Sequence, residues 1–384
     1  MSRPYLRRDA IGSTMGVMAD QDLPRSRTLL AAPDAFKGTA SAVAIARAIG
    51  KGAAQAGWES DACPLSDGGE GFAEVLALAR GGRGAWRETT VTGPLGEPVA
   101  ARWWLGAPGR ATNRRGAPRP PEAVIESASA SGLPLVGGAA GNDPLAASTK
   151  GTGELIVAAR DAGARRILVG VGGTATTDGG RGAVEAIETS GGIGPVDLRV
   201  ACDVDIAFVD AAARFAPQKG ADAAQVEELR IRLVKLARSY RDRYGVDVDR
   251  LPGAGAAGGL AGGLAAIGAR LMPGFALVAE AVGLHGRLSG AALVVTGEGG
   301  LDRTSLAGKV VGGVTRAAVA AAVPVLVVAG TVTGQDELPA LLAGEVGGAV
   351  DVLSLVERFG AERAMADPAG CVAAAVASFL RSVA

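Results

Sequence analysis

Short apolar runs punctuate this chain, and most of them empty into glycine. Leu29–Pro33 (LLAAP), Trp58–Leu65, Ala123–Glu126, Ile167–Gly170 and Arg199–Val204 read as strands, as do the ALVVT, VPVLVVAGTV and VDVLSLV runs of the last third. Continuous apolar runs of this length, without strict alternation, are the mark of strands buried on both faces. Between them lie segments with helical character, such as those ending DAFKGTASAVAIARAIGKGAAQAG and SDGGEGFAEVLALA, and also KGTGELIVAARDAGARR and VVGGVTRAAVAAA. Alternating strand and helix signals predict α/β structure with parallel sheets. Only Arg87–Gly106 breaks the texture: apolar and polar positions alternate around Gly93-Pro94 and Gly96, which predicts a β-hairpin.

The order of these elements suggests two domains, in keeping with the length of 384 residues. If the last three strands join Leu29–Ala32 and Ala62–Leu65 in one sheet, the first domain is discontinuous and the middle of the chain is an insertion. The expected division is a flexible extension over 1–27, a Rossmann-like parallel-sheet domain over 28–85 plus 287–384, and an inserted α/β domain over 86–286. Ala107–Pro121, rich in Arg, Gly and Pro, is expected as an exposed loop, and Ala221–Tyr240 as an amphipathic helix with mostly solvated charge. Met15 and Met18 stand as alternative starts.

Composition narrows the function classes. Formal net charge is zero, so no overall field draws the protein to nucleic acid or to an anionic membrane, and an anionic substrate must be held by local groups. Cys63, Cys202 and Cys371 are few and scattered, which fits free thiols in a reducing cytoplasm and argues against a zinc site. His285 is the single histidine and lies in a loop-like GLHGRLSG segment, so a serine-type triad or a histidine metal centre is excluded unless His285 takes part. The arginine-rich first residues lack the apolar core of a secretory signal, and no run elsewhere is long and apolar enough for a spanning helix. A cytoplasmic location is therefore expected, with no nucleic acid and no membrane as partner.

The candidate chemistry gathers where strands meet glycine. Ile167–Gly182 reads ILVGVGGTATTDGGRG, a buried strand opening into a loop of the kind on which α/β sheets bind ligands. Gly172 and Gly173 let backbone amides approach an anion, Thr174, Thr176 and Thr177 add hydroxyls, and Asp178 is suited to hold Mg²⁺ or to accept a proton. The alternative is that the glycines make a turn and Asp178 only caps the next helix. The same pattern recurs. Asp67 and Glu70 follow the second strand, Asp203 and Asp205 follow the CDVD strand two residues apart, and Glu298 and Asp302 lie just past a strand among glycines. Ser148, Thr149 and Thr152 stand at a Gly-rich helix entry as donors for an anion or as ordinary caps. The chain has six lysines, and Lys37, Lys150, Lys219 and Lys309 each adjoin a glycine. A compact ammonium in such a turn suits a phosphate. Gly253, Gly255 and Gly258 match G-x-G-x-x-G in letters, but the polar DVDRLP before them is no strand, so they point to a glycine-rich helix entry near phosphates rather than to NAD.

Taken together, APDAFKG, PLSDGGEG, VTGPLGEPV, AVIESASASGLPL, KGTGELI, GVGGTATTDGG, ACDV, APQKGA, PGAGAAGGL and VVTGEGGLD resemble the bacterial glycerate kinase family that lacks a P-loop, the two-domain glycerate 2-kinase class. The resemblance spans nearly all of the chain from Thr28. It implies a Rossmann-like domain split by an inserted α/β domain, an active site in the cleft, and transfer of the γ-phosphate of ATP to a hydroxyl of D-glycerate with Mg²⁺, giving 2-phosphoglycerate in preference to 3-phosphoglycerate. A homodimer is left open. Four positions depart from the pattern: Ala35 for serine, Lys150 for an aromatic, Thr177 for asparagine and Gly300 for arginine.

Phosphoryl transfer needs alignment and charge neutralisation rather than a covalent nucleophile. The expected roles follow. Asp178 or Asp203 orients the acceptor hydroxyl, and Lys37 contacts phosphate. Asp67, Glu70, Ser148, Thr152, Glu298 and Asp302 contact the substrate, with Asp67 and Glu298 also candidates for Mg²⁺. Gly172, Gly173, Thr174, Thr176, Gly255, Gly258 and Lys309 hold the nucleotide phosphates in place of the missing G-x-x-x-x-G-K-[ST]. Two other classes stay open: a nicotinamide oxidoreductase, against which APDAFKG lacks the fingerprint, and a non-catalytic or altered-specificity sugar-acid binder.

Overall fold

In a computed structural model the described residues are 27–112, 118–306, 309–334 and 350–383. The expected extension over 1–27 lies, apart from Arg27, outside them. In chain order the strands are β1 (Thr28–Ala31), β2 (Glu59–Ala62), β3 (Gly84–Thr92), β4 (Pro98–Gly106), β5 (Gly109–Thr112), β6 (Pro118–Arg119), β7 (Glu122–Glu126), β8 (Arg166–Gly170), β9 (Asp197–Ala201), β10 (Arg270–Met272), β11 (Leu293–Leu301), β12 (Val325–Val332) and β13 (Val350–Ser354).

The chain packs as two α/β units, one running to Leu65 and resuming at Val282, the other Ser66–Ala281. In the first, an all-parallel sheet has the order β13-β12-β11-β1-β2, so the strands from the two ends of the chain form two blocks that meet where β11 pairs with β1. The helix Ala42–Gln55 starts at Ser41, whose hydroxyl accepts from the Ala44 amide at 3.3 Å, and buries Ala42, Ile45, Ala46, Ile49 and Ala53 on one face. It packs on the C-terminal helix Pro368–Ser382 so closely that a Cβ at Gly52 would strike the Ala373 carbonyl. Between β1 and β11 the connection order reverses, and open α/β sheets bind ligands beyond the C-terminal strand ends at such a point.

The second unit has the sheet order β10-β9-β8-β7-β4-β3. β7 to β10 are parallel neighbours, and the hairpin β3–β4 adds an antiparallel edge. Helices Lys150–Asp161, Arg181–Thr189 and Leu260–Ala266 supply Leu155, Ile156, Ile187, Leu260 and Leu264 to its core. The first domain was expected to run to residue 85, whereas the first unit stops at Leu65. The helix Phe72–Ala79 packs on β7 and β4, strands of the second sheet.

Other local differences have similar tertiary causes. The Ala107–Pro121 segment contains the ribbon β5–β6 rather than a plain loop, although residues 113–117 lie outside the described set. His285 stands exposed on a short helix, Leu284–Leu288, not in a loop. The long helix runs Ala223–Tyr244, opened by a capping box between Asp222 and Gln225, and is amphipathic as expected: its charged residues are exposed, and Leu229, Leu233, Ala237 and Tyr240 form the buried stripe. No helix among the described residues is long and apolar enough to cross a membrane.

Candidate active site

In the first unit the ends of β1 and β11 bring Asp34, Lys37 and Glu298 into one neighbourhood. The Asp34 amide donates to the Gly297 carbonyl at 2.9 Å, and its buried carboxylate accepts from the Ala35 amide at 2.8 Å. A tight turn over Phe36–Ala40 leaves Lys37 exposed. Gly299 passes beside it: a Cβ there would sit 3.4 Å from the Lys37 nitrogen and 3.3 Å from the Phe36 Cα. Glu298, expected just past a strand, lies within β11 opposite Ala329 and is buried. The glycines around it do not end the strand, because β12 continues to pair with it as far as Leu301.

Asp302 and Lys309 are tied to each other instead. The Asp302 carboxylate accepts from the Thr304 amide (2.7 Å), the Thr304 hydroxyl (2.6 Å) and the Ser305 amide (3.1 Å). The Thr304 hydroxyl bond chiefly holds its pKa down, with the backbone amides and Lys309 adding to the effect against burial. Lys309 donates to Thr304 Oγ1 at 3.2 Å and stands at the N-cap position of the helix Val310–Ala320 without a side-chain capping bond. Asp302 thus orders the turn that begins the helix Arg303–Leu306.

In the second unit the acidic loop after β2 packs on the loop after β8. The Gly172 amide donates to the Gly68 carbonyl at 3.3 Å, and a Cβ at Gly172 would stand 2.6 Å from the Gly69 Cα. Asp67 accepts from the Gly69 amide at 3.0 Å, and Glu70 is exposed. β9 ends at Ala201, so Asp203 and Asp205 do not share the face of an extended strand. Asp205 is exposed, whereas Asp203 turns onto the N-terminus of the helix Gly274–Val282, accepting from the Gly274 amide at 2.8 Å and the Phe275 amide at 2.6 Å. Burial pushes the Asp203 carboxyl up to about 6; the nearby negative charge of Asp67 adds to this, and the two amides oppose it.

Asp178 has a different setting. Oδ2 accepts from the Thr149 amide (2.9 Å), the Thr149 hydroxyl (2.8 Å) and the Gly182 amide (3.1 Å), and Oδ1 accepts from the Gly180 amide (3.0 Å). Thr149 in turn accepts from the Ala183 amide at 3.0 Å. The carboxylate therefore fastens the start of Lys150–Asp161 to the start of Arg181–Thr189. Ser148 accepts from the Lys150 amide at 3.2 Å, and Lys150 itself pairs with Glu154 at 3.8 Å on the surface. A cavity of about 710 Å³ opens beside these residues, lined by Ser148, Thr177, Asp178, Arg181, Tyr240 and Arg243 among others. That is a volume for a small ligand.

Three expected ligand residues have packing roles instead. The Thr152 hydroxyl is fully buried against Ser131 Oγ at 2.8 Å, so it joins two segments of the unit. Gly258 has φ +68, and a Cβ there would strike the Thr176 carbonyl. A Cβ at Gly255 would strike the Ala207 carbonyl. These glycines bring the 253–259 turn onto its neighbours.

The 172–177 loop itself keeps unused donors. Thr174, Thr176 and Thr177 are buried, and the hydroxyls of Thr176 and Thr177 have no hydrogen-bond partner in the protein. A buried hydroxyl without a partner costs free energy unless a ligand or water meets it. Against the loop lies Lys219, one of the lysines that adjoin a glycine. Lys219 Nζ donates to Thr174 Oγ1 at 3.2 Å and to the Thr176 carbonyl at 2.5 Å. Thr149, expected as a donor or cap, proves to be the principal partner of Asp178.

Among the described residues no group of three or more His, Cys, Asp or Glu side chains converges on a metal position. Magnesium keeps several waters and asks for only one or two carboxylates beside substrate phosphates, so the hard oxygens of Asp67 suit it.

Comparison with known proteins places the chain in a family. The profile described as "Glycerate kinase family" matches residues 29–191 and 188–384. A protein of Mycobacterium tuberculosis with no assigned function is 41% identical over 90% of this chain and 89% of its own length. The glycerate 2-kinase of Escherichia coli K12 is 38% identical over 79% of this chain and 85% of its own. A solved candidate glycerate kinase 2 from Salmonella typhimurium LT2 superposes with a TM-score of 0.71 at 32% identity, covering 92% of this chain and 97% of that one.

Proposed function

Since the chain belongs to the glycerate kinase family and is a kinase acting on a small molecule, we propose that it moves the γ-phosphate of ATP to O2 of D-glycerate. The observation that carries the residue assignment is Asp203: a carboxylate held in place by two backbone amides, with a pKa of about 6, beside Asp67. A base poised near the working pH is what proton removal from an alcohol in flight requires.

Asp203 orients the acceptor hydroxyl and takes its proton as the oxygen bonds to the γ-phosphorus. The bond from that phosphorus to the bridging oxygen breaks, and ADP leaves with the electron pair. Thr176 and Thr177 donate to phosphoryl oxygens, and Lys37 adds a positive charge. Magnesium, expected on Asp67 or Glu298, supplies charge neutralisation for the phosphates. Asp178 keeps the loop in shape rather than touching the substrate.

Phosphorus NMR of the product from ATP, Mg²⁺ and D-glycerate tests the reading. A 2-phosphoglycerate resonance, lost in excess EDTA, is the expected result. No phosphoglycerate, or full turnover in EDTA, overturns it. A second reading, a related hydroxy acid as acceptor, is favoured by Gly300: where the family pattern has an arginine this position carries no side chain, and a Cβ built there would meet only Thr331 Oγ1, at 3.5 Å. A higher kcat/KM for another 2-hydroxy acid than for D-glycerate would select it.

A further inference from the structure

The Lys219 side chain is the least economical feature of the second unit if folding alone is considered. It ends the turn Pro217–Lys219 and is 4% exposed. Gly220 follows at φ +95, where a Cβ would strike the Ala139 carbonyl, so the turn is pressed into the body of the unit. Its ammonium meets one hydroxyl and one carbonyl, both from the 174–176 stretch, and none of the described ion pairs includes it. The charged group acting on it is Asp178, which favours the ammonium, while burial opposes it and brings the pKa down to about 7. A buried charge with neutral partners is costly, and an apolar side chain of the same length would fill the space at lower cost.

The surroundings show what the charge serves. The 173–175 backbone is already held on one side, by the Leu133 amide on the Gly173 carbonyl (3.0 Å) and by the Ala175 amide on the Ser131 carbonyl (2.9 Å). Asn142 Nδ2 then bridges the Ala175 carbonyl (3.0 Å) and the Lys219 carbonyl (2.8 Å), locking the lysine turn to the loop. The two hydroxyls the loop leaves without partners, Thr176 and Thr177, adjoin the residues Lys219 holds. Positive charge fixed behind unpaired donors is the arrangement that stabilises an anion in a low-dielectric site without reorganisation.

We infer that Lys219 is a positioning residue for phosphoryl binding: through Thr174 and Thr176 it fixes the loop so that the Thr176 and Thr177 hydroxyls meet the phosphate oxygens of a nucleotide, and its charge balances theirs from below. This rests on the kinase reading for the identity of the anion. It requires no contact between Lys219 and the reacting atoms.

The test uses the full chain with Lys219→Met, which keeps the length of the side chain and removes its charge and donors. ADP binding by calorimetry, hydrogen exchange at amides 173–177 and thermal melting are measured together. The variant is expected to melt no lower than wild type, to bind ADP at least tenfold more weakly, and to exchange faster at 173–177 only. In wild type, ADP affinity is expected to fall between pH 6 and 8 as the ammonium, with its pKa of about 7, discharges, and in Lys219→Met to show no such fall. A folded Lys219→Met that binds ADP as wild type does, with unchanged exchange in the loop, overturns the inference. Should the variant not fold, wild-type affinity that holds constant across that pH range overturns it equally. Intact ADP binding with no phosphoglycerate formed would refute the proposed reaction while leaving the role of Lys219 standing.

Discussion

Asp178 and Asp203 each lie beyond the C-terminal end of a parallel strand, β8 and β9, and those strands pair with each other. From the letters alone either one serves as the acceptor's base. Their surroundings separate them. Asp178 meets four donors from Thr149, Gly180 and Gly182, three on Oδ2 and one on Oδ1, so the protein itself takes up most of the carboxylate's accepting capacity. Asp203 meets two backbone amides, in a half-buried place where burial first and then Asp67 make its charge less welcome. On this contrast rests the proposal that Asp178 is a clasp and Asp203 the acceptor's base.

The strongest way to break this contrast is Asp203→Asn. Its kcat is expected to fall about a hundredfold or more, the scale of a lost acid–base group. Melting should show a folded protein, and a fully active variant would remove Asp203 from the mechanism. The pH profile sharpens the same point. Because the carboxyl is raised from 3.8 to about 6, it is protonated below that value and cannot take the hydroxyl proton. Activity is therefore expected to climb from pH 5 to 7 and level off above, changing about tenfold per unit on the acid side. Asp203→Asn should lack this limb, and a wild-type profile that is flat from pH 5 to 7 would contradict the assignment.

Asp178→Asn should do the reverse. An amide nitrogen would face donors that a carboxylate accepts, so at least one or two charge-assisted bonds are lost, costing about 2–4 kcal/mol. The expected result is a markedly lower melting temperature with kcat of the folded enzyme within about threefold of wild type. A hundredfold loss of kcat at unchanged stability would make Asp178 chemical and erase the difference from Asp203.

The sequence exposes the sheets far better than these distinctions. Buried parallel strands announce themselves as runs such as VVT and LVV, and the return of that texture after residue 290 is what puts β11 between β1 and β12. Glycine was the harder letter. Around Glu298 it suggests a loop, yet the pairing with β12 holds the segment extended; at Gly258 it suggests a phosphate cradle, yet it serves to bring two backbones together. The donors to Asp178 come in part from Thr149, 29 positions upstream, and Lys219 reaches Thr174 across 45 positions. Neither separation is fixed by local propensity. Only the tertiary packing tells a carboxylate met by four donors from one met by two, or a solvated turn lysine from a buried one.

The finest test of the clasp leaves both acids in place. The Thr149 hydroxyl stands between Asp178 and the helix: it donates to Asp178 at 2.8 Å and accepts from the Ala183 amide at 3.0 Å, inside the first turn of Arg181–Thr189. Thr149→Val keeps the shape and removes both bonds, leaving the Ala183 amide buried without an acceptor. The expected loss is about 1–3 kcal/mol of stability, with kcat unchanged. Thr149→Ser, which retains the oxygen, should recover most of it. In a double-mutant cycle with Asp178→Asn the two losses should fall short of their sum, because the hydroxyl has nothing to add once the carboxylate is gone. Additive losses would show that Thr149 and Asp178 stabilise the unit independently, and a fall in kcat for Thr149→Val would mean that the clasp reaches the chemistry after all.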